Sequence, residues 1–134
     1  MKALGHPFNK SQLLQEALTH SSVHEEDRGK TSNRRLAYLG DAVIELAVRR
    51  HLTPIGTEPK AVDARKQNVV DEKACANAAR KAGLRLVTGK SRGSQDPSPA
   101  MLGEAFEAVV GAIFEDAGFE AAADAVLRSV DLAT

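Results

Sequence analysis

Three carboxylates stand in stretches of the sequence that are otherwise largely apolar. Asp41 interrupts residues 36–48, and Glu104 and Glu107 interrupt residues 98–114. A helix that is apolar on nearly every side belongs in the interior of a domain. A carboxylate there costs several kcal/mol of desolvation unless a cation, a hydrogen-bond donor or a metal pairs with it. The sequence therefore predicts a partner for each of these residues.

We expect these carboxylates to share a divalent cation. Glu104 and Glu107 are three residues apart, so they lie on one face of a helix, about one turn from each other. Clustered carboxylates repel one another unless they are protonated or neutralised. Mg²⁺ takes a few carboxylates together with water as its ligands. The sequence therefore predicts a metal site formed by Asp41, Glu104 and Glu107, with Mg²⁺ or alternatively Mn²⁺ as the ion.

Gly40, which directly precedes Asp41, predicts close packing at the same place. A glycine inside a helix costs about 1 kcal/mol relative to alanine. Without a Cβ atom, it lets another backbone or side chain approach the helix closely. Two unfavourable residue choices side by side often mark a functional site.

The spacing of apolar residues predicts an all-α fold with one domain over residues 1–134 and no strand. Residues 23–31 are expected to form an exposed loop and residues 87–97 a mobile loop, because both are rich in polar or turn-forming residues. We expect the helices to pack around a central buried helix. Helices are predicted to start after Asn9 and to span about 33–52 (capped by Thr31 or Ser32), 59–70, 72–82 (capped by Asp71), 98–118 (capped by Ser98) and 119–132.

Composition excludes several classes of protein. A single cysteine rules out an internal disulfide, and no apolar run is long enough to span a membrane. The net charge is zero, but residues 58–92 carry nine basic and four acidic side chains, while residues 93–134 carry one basic and eight acidic. The sequence therefore predicts a polarised molecule with a basic middle segment.

Three segments in the same order and spacing resemble the motifs of the ribonuclease III catalytic domain. Residues 33–44 are similar to the family signature Asn-Glu-Arg-Leu-Glu-Phe-Leu-Gly-Asp-Ala. Residues 102–112 are similar to the second acidic motif, Leu-Ala-Asp-Thr-Phe-Glu-Ala-Leu-Ile-Gly-Ala, and residues 17–22 to the opening Ala-Leu-Thr-His-Arg-Ser. The resemblance covers nearly the whole chain and implies the ribonuclease III endonuclease-domain fold.

The resemblance implies a metal-dependent endoribonuclease that hydrolyses phosphodiester bonds in double-stranded RNA as a homodimer. Asp41 and Glu107 would be catalytic and would hold the metal ion together with Glu104. Tyr38 would anchor the homodimer by entering a socket on the second subunit, with a core aromatic as the alternative interpretation. A further acidic residue of the family is matched by Asp71 or Glu72.

The chain departs from the family pattern at the signature itself. Arg34 and Ala37 stand where the two glutamates of the signature are expected, and Glu104 stands where the later motif has Asp. Ala37 has no side-chain oxygen to offer a metal. These departures leave open an alternative, a catalytically weakened or inactive member that binds RNA or a ribosome structurally.

The motifs also give the basic segment an interpretation. Lysine and arginine side chains contact nucleic-acid phosphates, and the predicted RNA contacts are Lys60, Arg65, Lys66, Lys90 and Arg92. The chain resembles stand-alone members such as mini-ribonuclease III or single-domain proteins of mitochondrial ribosomes. This implies an intracellular protein, cytoplasmic or mitochondrial, with double-stranded RNA and a second copy of itself as partners, ribosome association as an alternative, and no membrane.

Overall fold

The computed structural model describes residues 1–132 as a bundle of helices with a small hairpin at the N-terminus. Strands β1 (Lys2–Ala3) and β2 (His6–Pro7) pair antiparallel. The helices are α1 (Ser11–Ala17), α2 (Ser21–Glu26), α3 (Arg34–Leu52), α4 (Pro59–Val70), α5 (Glu72–Lys81), α6 (Pro99–Ala117) and α7 (Phe119–Ser129). The predicted all-α fold is confirmed.

Helix α6 lies at the centre of the bundle and supplies several of its largest buried side chains. Phe106, Val109 and Ile113 are fully buried, and α1, α3, α5 and α7 pack around α6. Helix α3 lies along it and buries Leu36 and Val48. The prediction of helices around a central buried helix is thus confirmed. In the part of the chain described, no helix combines the length and hydropathy needed to cross a membrane.

Helices α3 and α6 approach so closely at Gly40 and Gly111 that their backbones touch. A Cβ atom on Gly40 would overlap the carbonyl oxygen of Glu107, and one on Gly111 would overlap that of Leu36. Glycine alone has no Cβ atom, so it alone permits this approach. The expected close packing at Gly40 is confirmed, and it sets the side chains that flank Gly40 against the Glu107 turn of α6.

Two helices begin at the predicted capping residues. The Ser98 hydroxyl accepts a hydrogen bond from the Met101 backbone N–H at 3.2 Å, and the Asp71 carboxylate accepts one from the Ala74 N–H at 2.8 Å. Each satisfies an N–H group that has no partner within its own helix. These starts are confirmed, and Pro99 follows Ser98 in the first turn of α6.

The predicted cap of α1 was wrong, and that of α3 is borne out in part, because the Ser32 hydroxyl accepts a hydrogen bond from the Arg34 backbone N–H at 3.4 Å. Helix α1 has Lys10 rather than Asn9 at its start, and the backbone N–H groups of Asn9 and Lys10 donate instead to the Asp116 carboxylate at 3.0 and 2.9 Å. Helix α3 follows Asn33, whose side chain makes no capping hydrogen bond. Because Asp116 is more than a hundred residues away, it leaves no local signal, and the start of α1 could not be predicted from short sequence patterns.

The predictions of no strand and of an exposed loop over residues 23–31 were also wrong in part. Strands β1 and β2 have two residues each, too few for an alternating pattern. Helix α2 extends through Glu26 and holds one large apolar residue, Val23, so it shows no helical period. Both elements are too short to be detected by periodicity.

Residues 87–97, predicted to form a mobile loop, are tied to α2. The segment contains a 3₁₀ turn over Lys90–Arg92. The Glu26 carboxylate accepts hydrogen bonds from the backbone N–H groups of Lys90 at 2.8 Å and Ser91 at 3.0 Å. Long-range contacts of this kind hold a segment that has no apolar period of its own.

We expect Gly40→Ala to lower the free energy of unfolding by about 3 kcal/mol, because the added methyl group would force α3 away from α6. Urea denaturation followed by circular dichroism measures the change.

Gly103→Ala on α6 is the matched control. A Cβ atom there would lie 3.5 Å from the nearest atoms, an ordinary contact distance, and alanine favours a helix over glycine by about 1 kcal/mol. Equal stabilities for the two variants would contradict the direct contact between α3 and α6.

Candidate active site

An open cleft of about 330 Å³ lies where α3 meets α6. It brings together the three carboxylates singled out by the sequence, two from α6 and one from α3. The Gly40–Gly111 contact holds the two helices together at this place. The cleft is lined by Arg34, Ala37, Tyr38, Asp41, Glu104 and Glu107.

The prediction of an interior position for Asp41 was wrong, because its side chain is exposed at the cleft. Glu104 and Glu107 are half-buried. Helix α3 has one uncovered side, on which Tyr38 is 82% and Leu46 is 55% exposed. The apolar character of the stretch misled the prediction, since two of its large apolar residues face outward.

Glu107 has the most perturbed carboxyl group of the cleft. Burial, a hydrogen bond shared with Asp41 and the negative charges of Asp41 and Glu104 raise its pKa to about 8. The raised pKa favours the protonated form of Glu107 beside Asp41. The carboxylates repel one another strongly enough to hold a proton, which is the condition that a bound cation relieves.

The donor chemistry of the cleft fits a hard divalent cation such as Mg²⁺, since all three donors are carboxylate oxygens. The geometry is incomplete, however. Within residues 1–132, no three His, Cys, Asp or Glu side chains are arranged as ligands of one ion. Asp41 and Glu107 are in contact with each other, and the Ala37 methyl group lies beside them on the cleft wall.

A second cavity of about 180 Å³ adjoins the cleft and adds Glu72 to the acidic residues. Glu72, Glu104 and Glu107 all line it. The sequence left Asp71 and Glu72 open as the match to a further acidic residue of the family. Since the Asp71 carboxylate caps α5, Glu72 is the one that faces the acidic cluster. The position of Glu72 in the first turn of α5, after the capping residue Asp71, is the feature that distinguishes the two residues.

Cys75 lies in the same cavity and is a buried thiol. Burial, together with the negative charges of Glu107 and Asp41, raises its pKa to about 12. A thiol with so high a pKa is not a nucleophile at neutral pH. This environment is that of a structural cysteine.

The predicted RNA contacts fall into two groups by their surroundings. Lys60 and Lys90 are exposed on α4 and on the 3₁₀ turn. The Arg92 guanidinium donates to the Asp96 carbonyl at 3.2 Å, and that of Arg65 to the Leu132 carbonyl at 2.8 Å. All four side chains keep at least part of their surface open.

Lys66 does not fit the prediction of a free phosphate contact. It is 9% exposed, and its ammonium lies 3.4 Å from the Glu45 carboxylate and donates to Gln67. Glu45 also pairs with Arg49 at 3.4 Å, so it is a salt-bridge residue. Burying the aliphatic stem of Lys66 under α3 leaves its charge to neutralise Glu45.

Comparison with known proteins identifies the family of this chain. The family described as ribonuclease-III-like matches residues 10–131. The chain belongs to this family. Its ribonuclease-III-like domain is 37% identical to the ribonuclease 3 of Jannaschia sp. (strain CCS1), covering 96% of the chain and 58% of that relative. It is 39% identical to the ribonuclease 3 of Desulforamulus reducens, covering 93% of the chain and 54% of that relative.

Solved structures agree with the family assignment. The nuclease domain of ribonuclease III from Campylobacter jejuni superposes with a TM-score of 0.82 and 31% identity, over 93% of this chain and 89% of that one. The work on that domain describes structural flexibility in a region involved in its dimer formation. The ribonuclease-III-like chain spans a little over half the length of the full relatives above, so the match concerns their nuclease part.

We expect the stability of the domain to fall as pH rises from about 5 to about 8, because the folded state holds a proton on Glu107 that the unfolded state has released. Glu107→Gln should remove a loss of about 2 kcal/mol over that interval, less than the full shift implies because the group is partly screened by solvent. Urea unfolding in chelator at both pH values measures it.

Glu25→Gln, which removes an exposed carboxylate on α2, is the control and should keep the slope of the wild type. A wild-type slope that survives in Glu107→Gln would contradict the strained carboxyl pair.

Proposed function

We propose that this chain is a divalent-metal-dependent endoribonuclease that hydrolyses phosphodiester bonds of double-stranded RNA. The observation that supports the proposal is the open cleft that brings Asp41, Glu104 and Glu107 together, with Glu107 close enough to Asp41 for its pKa to be raised. Family membership supports the reaction class. A structural domain without this chemistry would be more stable with apolar residues in these positions.

Asp41, Glu104 and Glu107 are the residues that would hold Mg²⁺ or Mn²⁺. When bound, the cation supplies Lewis-acid stabilisation of negative charge on the phosphate. Glu107 would bind the cation as a carboxylate, and Asp41, the most exposed of the three, would be the most accessible to a strand entering the cleft. Glu72 stands behind Glu104 and Glu107 in the adjoining cavity and adds negative charge there.

The lack of a carboxylate at Ala37 would weaken the binding of a divalent cation at this site. Ala37 presents only a methyl group to the cleft, so the domain offers one acidic ligand fewer than the family signature. Glu104 replaces a shorter Asp and reaches about 1.5 Å further through its additional C–C bond. Fewer charged ligands bind a divalent cation less tightly, so the enzyme should need more metal than a member with the full signature.

RNA phosphates would be contacted by cations that keep exposed surface. Lys60, Lys90 and Arg92 are the candidates among the predicted set, because none of their side chains forms a salt bridge with a carboxylate among the described residues, although the Glu26 carboxylate interacts electrostatically with Lys90. Arg65 would exchange its bond to the Leu132 carbonyl for a phosphate. Such contacts fix the position of a duplex and carry no sequence preference.

The enzyme would act as a homodimer through the uncovered side of α3. Tyr38 is 82% exposed on the rim of the cleft, and Leu46 is exposed about two turns further along the helix. Large exposed aromatic and aliphatic residues on one helix are typical of association surfaces. Tyr38 would thus be both a dimer anchor and a neighbour of the acidic cluster.

The purified chain should cut labelled double-stranded RNA with Mg²⁺ or Mn²⁺ and not with chelator. Glu107→Gln should lower the cleavage rate by about 100-fold or more, since removing one electrostatic stabiliser of a transition state typically has an effect of that size. Denaturing gels and single-turnover kinetics measure the products and the rate.

Glu25→Gln should cleave like the wild type, which separates loss of a ligand from loss of any carboxylate. Metal-dependent cleavage that survives in Glu107→Gln would remove Glu107 from the mechanism. Wild-type protein that binds RNA without cutting it would overturn the enzymatic proposal.

Tyr38→Ala should weaken self-association at least about tenfold, in line with the loss of a buried aromatic anchor. Sedimentation velocity across a concentration series measures the monomer–dimer equilibrium. Ile55→Ala is the matched control. Ile55 is fully exposed in the segment after α3, so this substitution also removes a large exposed side chain. An unchanged equilibrium in Tyr38→Ala would exclude Tyr38 from the interface.

A further inference from the structure

Arg34 lines the acidic cleft without pairing with any of its carboxylates. It begins α3, its side chain is exposed, and no carboxylate among residues 1–132 lies within ion-pair distance of its guanidinium. Its neighbour Arg35 behaves differently, donating to Glu16 at 3.2 Å and to Glu115. Two adjacent arginines of the same helix turn therefore differ in that one is neutralised and the other is free.

Arg34 does not contribute to the stability of α3 by electrostatics. Helix α3 has no acidic residue in its first turn, and a cation at a helix N-terminus is disfavoured by the helix dipole. An ion pair with Asp41, Glu104 or Glu107 would compensate, but the structure holds the guanidinium apart from them. The arrangement leaves a permanently charged, planar donor group open to a ligand from solvent.

A phosphate that enters the acidic cleft needs a cationic hydrogen-bond donor. Three carboxylates repel a phosphate, and Arg34 is the single cationic side chain among the described residues that line the cleft. A guanidinium donates two parallel hydrogen bonds to a phosphate in a geometry that suits both groups. Arg34 lies seven residues before Asp41, so it stands about 10 Å along the axis of α3 from that carboxylate.

We propose that Arg34 binds an RNA phosphate at the end of the cleft nearest the start of α3. This contact rests on the proposed function and deepens it, because Arg34 begins the helix that carries Asp41 and would hold one phosphate of the strand at that end of the cleft. Arg34 stands where the resembled signature has Glu, so the contact belongs to this chain and replaces an acidic group with a substrate-binding one.

The test is binding of a fluorescein-labelled RNA duplex in chelator, measured by anisotropy over a range of salt concentrations. Arg34→Gln should weaken binding about five- to tenfold and lower the slope of log affinity against log salt by about 0.9, the value for one phosphate contact. Arg34→Lys keeps the charge, so it should keep the slope while losing part of the affinity that two parallel hydrogen bonds give.

Lys81→Gln is the charge-matched control. Lys81 lines a separate groove with Ala78 and Ser129, and its removal should leave the slope and the affinity close to those of the wild type. Thermal unfolding of Arg34→Gln should match the wild type, since no ion pair is lost. With Mg²⁺ present, Arg34→Gln should raise KM several-fold and leave kcat unchanged.

The outcomes separate this contact from the enzymatic proposal. Arg34-dependent binding by a protein that never cleaves would support the contact and overturn the nuclease. Metal-dependent cleavage with the same KM and salt slope in Arg34→Gln as in Lys81→Gln would overturn the contact and leave the nuclease standing. Tighter binding by Arg34→Gln would also overturn it, and a wild type that binds no RNA duplex would overturn both.

Discussion

The backbone contact between α3 and α6 at Gly40 and Gly111 is the constraint on which the site depends. Two helices at an ordinary separation would leave a layer of side chains between Asp41 and Glu107. With no Cβ atom at either glycine, the two helix backbones come into contact, and Asp41 lies close enough to Glu107 to raise its pKa. The same contact seats α3 against the central helix and closes the core. Stability and the geometry of the cleft therefore rest on one pair of residues.

The contact between α3 and α6 brings carboxylates together, and they repel one another. Asp41, Glu104 and Glu107 meet at one cleft, and Arg35, the nearest paired arginine of α3, is already engaged with Glu16 and Glu115. The mutual repulsion of the cleft carboxylates contributes to the raised pKa of Glu107, and a bound divalent cation would relieve it. An acidic cluster of this kind lowers stability and is retained at sites that use a metal.

The sequence predicted the long elements well because their signals are local. Apolar periodicity and the Ser98 and Asp71 caps located α5 and α6, and Gly40 marked the close approach. Features that depend on distant residues were missed, such as the tether from Glu26 to the turn at Lys90–Arg92. The cleft residues were found by type and spacing, but the exposure of Asp41 depends on which side of α3 is left uncovered, and that is decided by the whole bundle.

Arg34 and Ala37, which depart from the family signature, change the balance of charge at the cleft. In the proposed site, Ala37 would leave the cation with one ligand fewer, and Arg34 would add a donor for phosphate on the same face of α3. The face is thereby less acidic, so a phosphate strand meets less repulsion before any metal has bound. A weaker metal site and a stronger RNA contact are complementary, because an RNA already held in the cleft can contribute phosphate oxygens as ligands. Under the proposed function, the two departures would thus act together in a site where substrate and cation bind jointly.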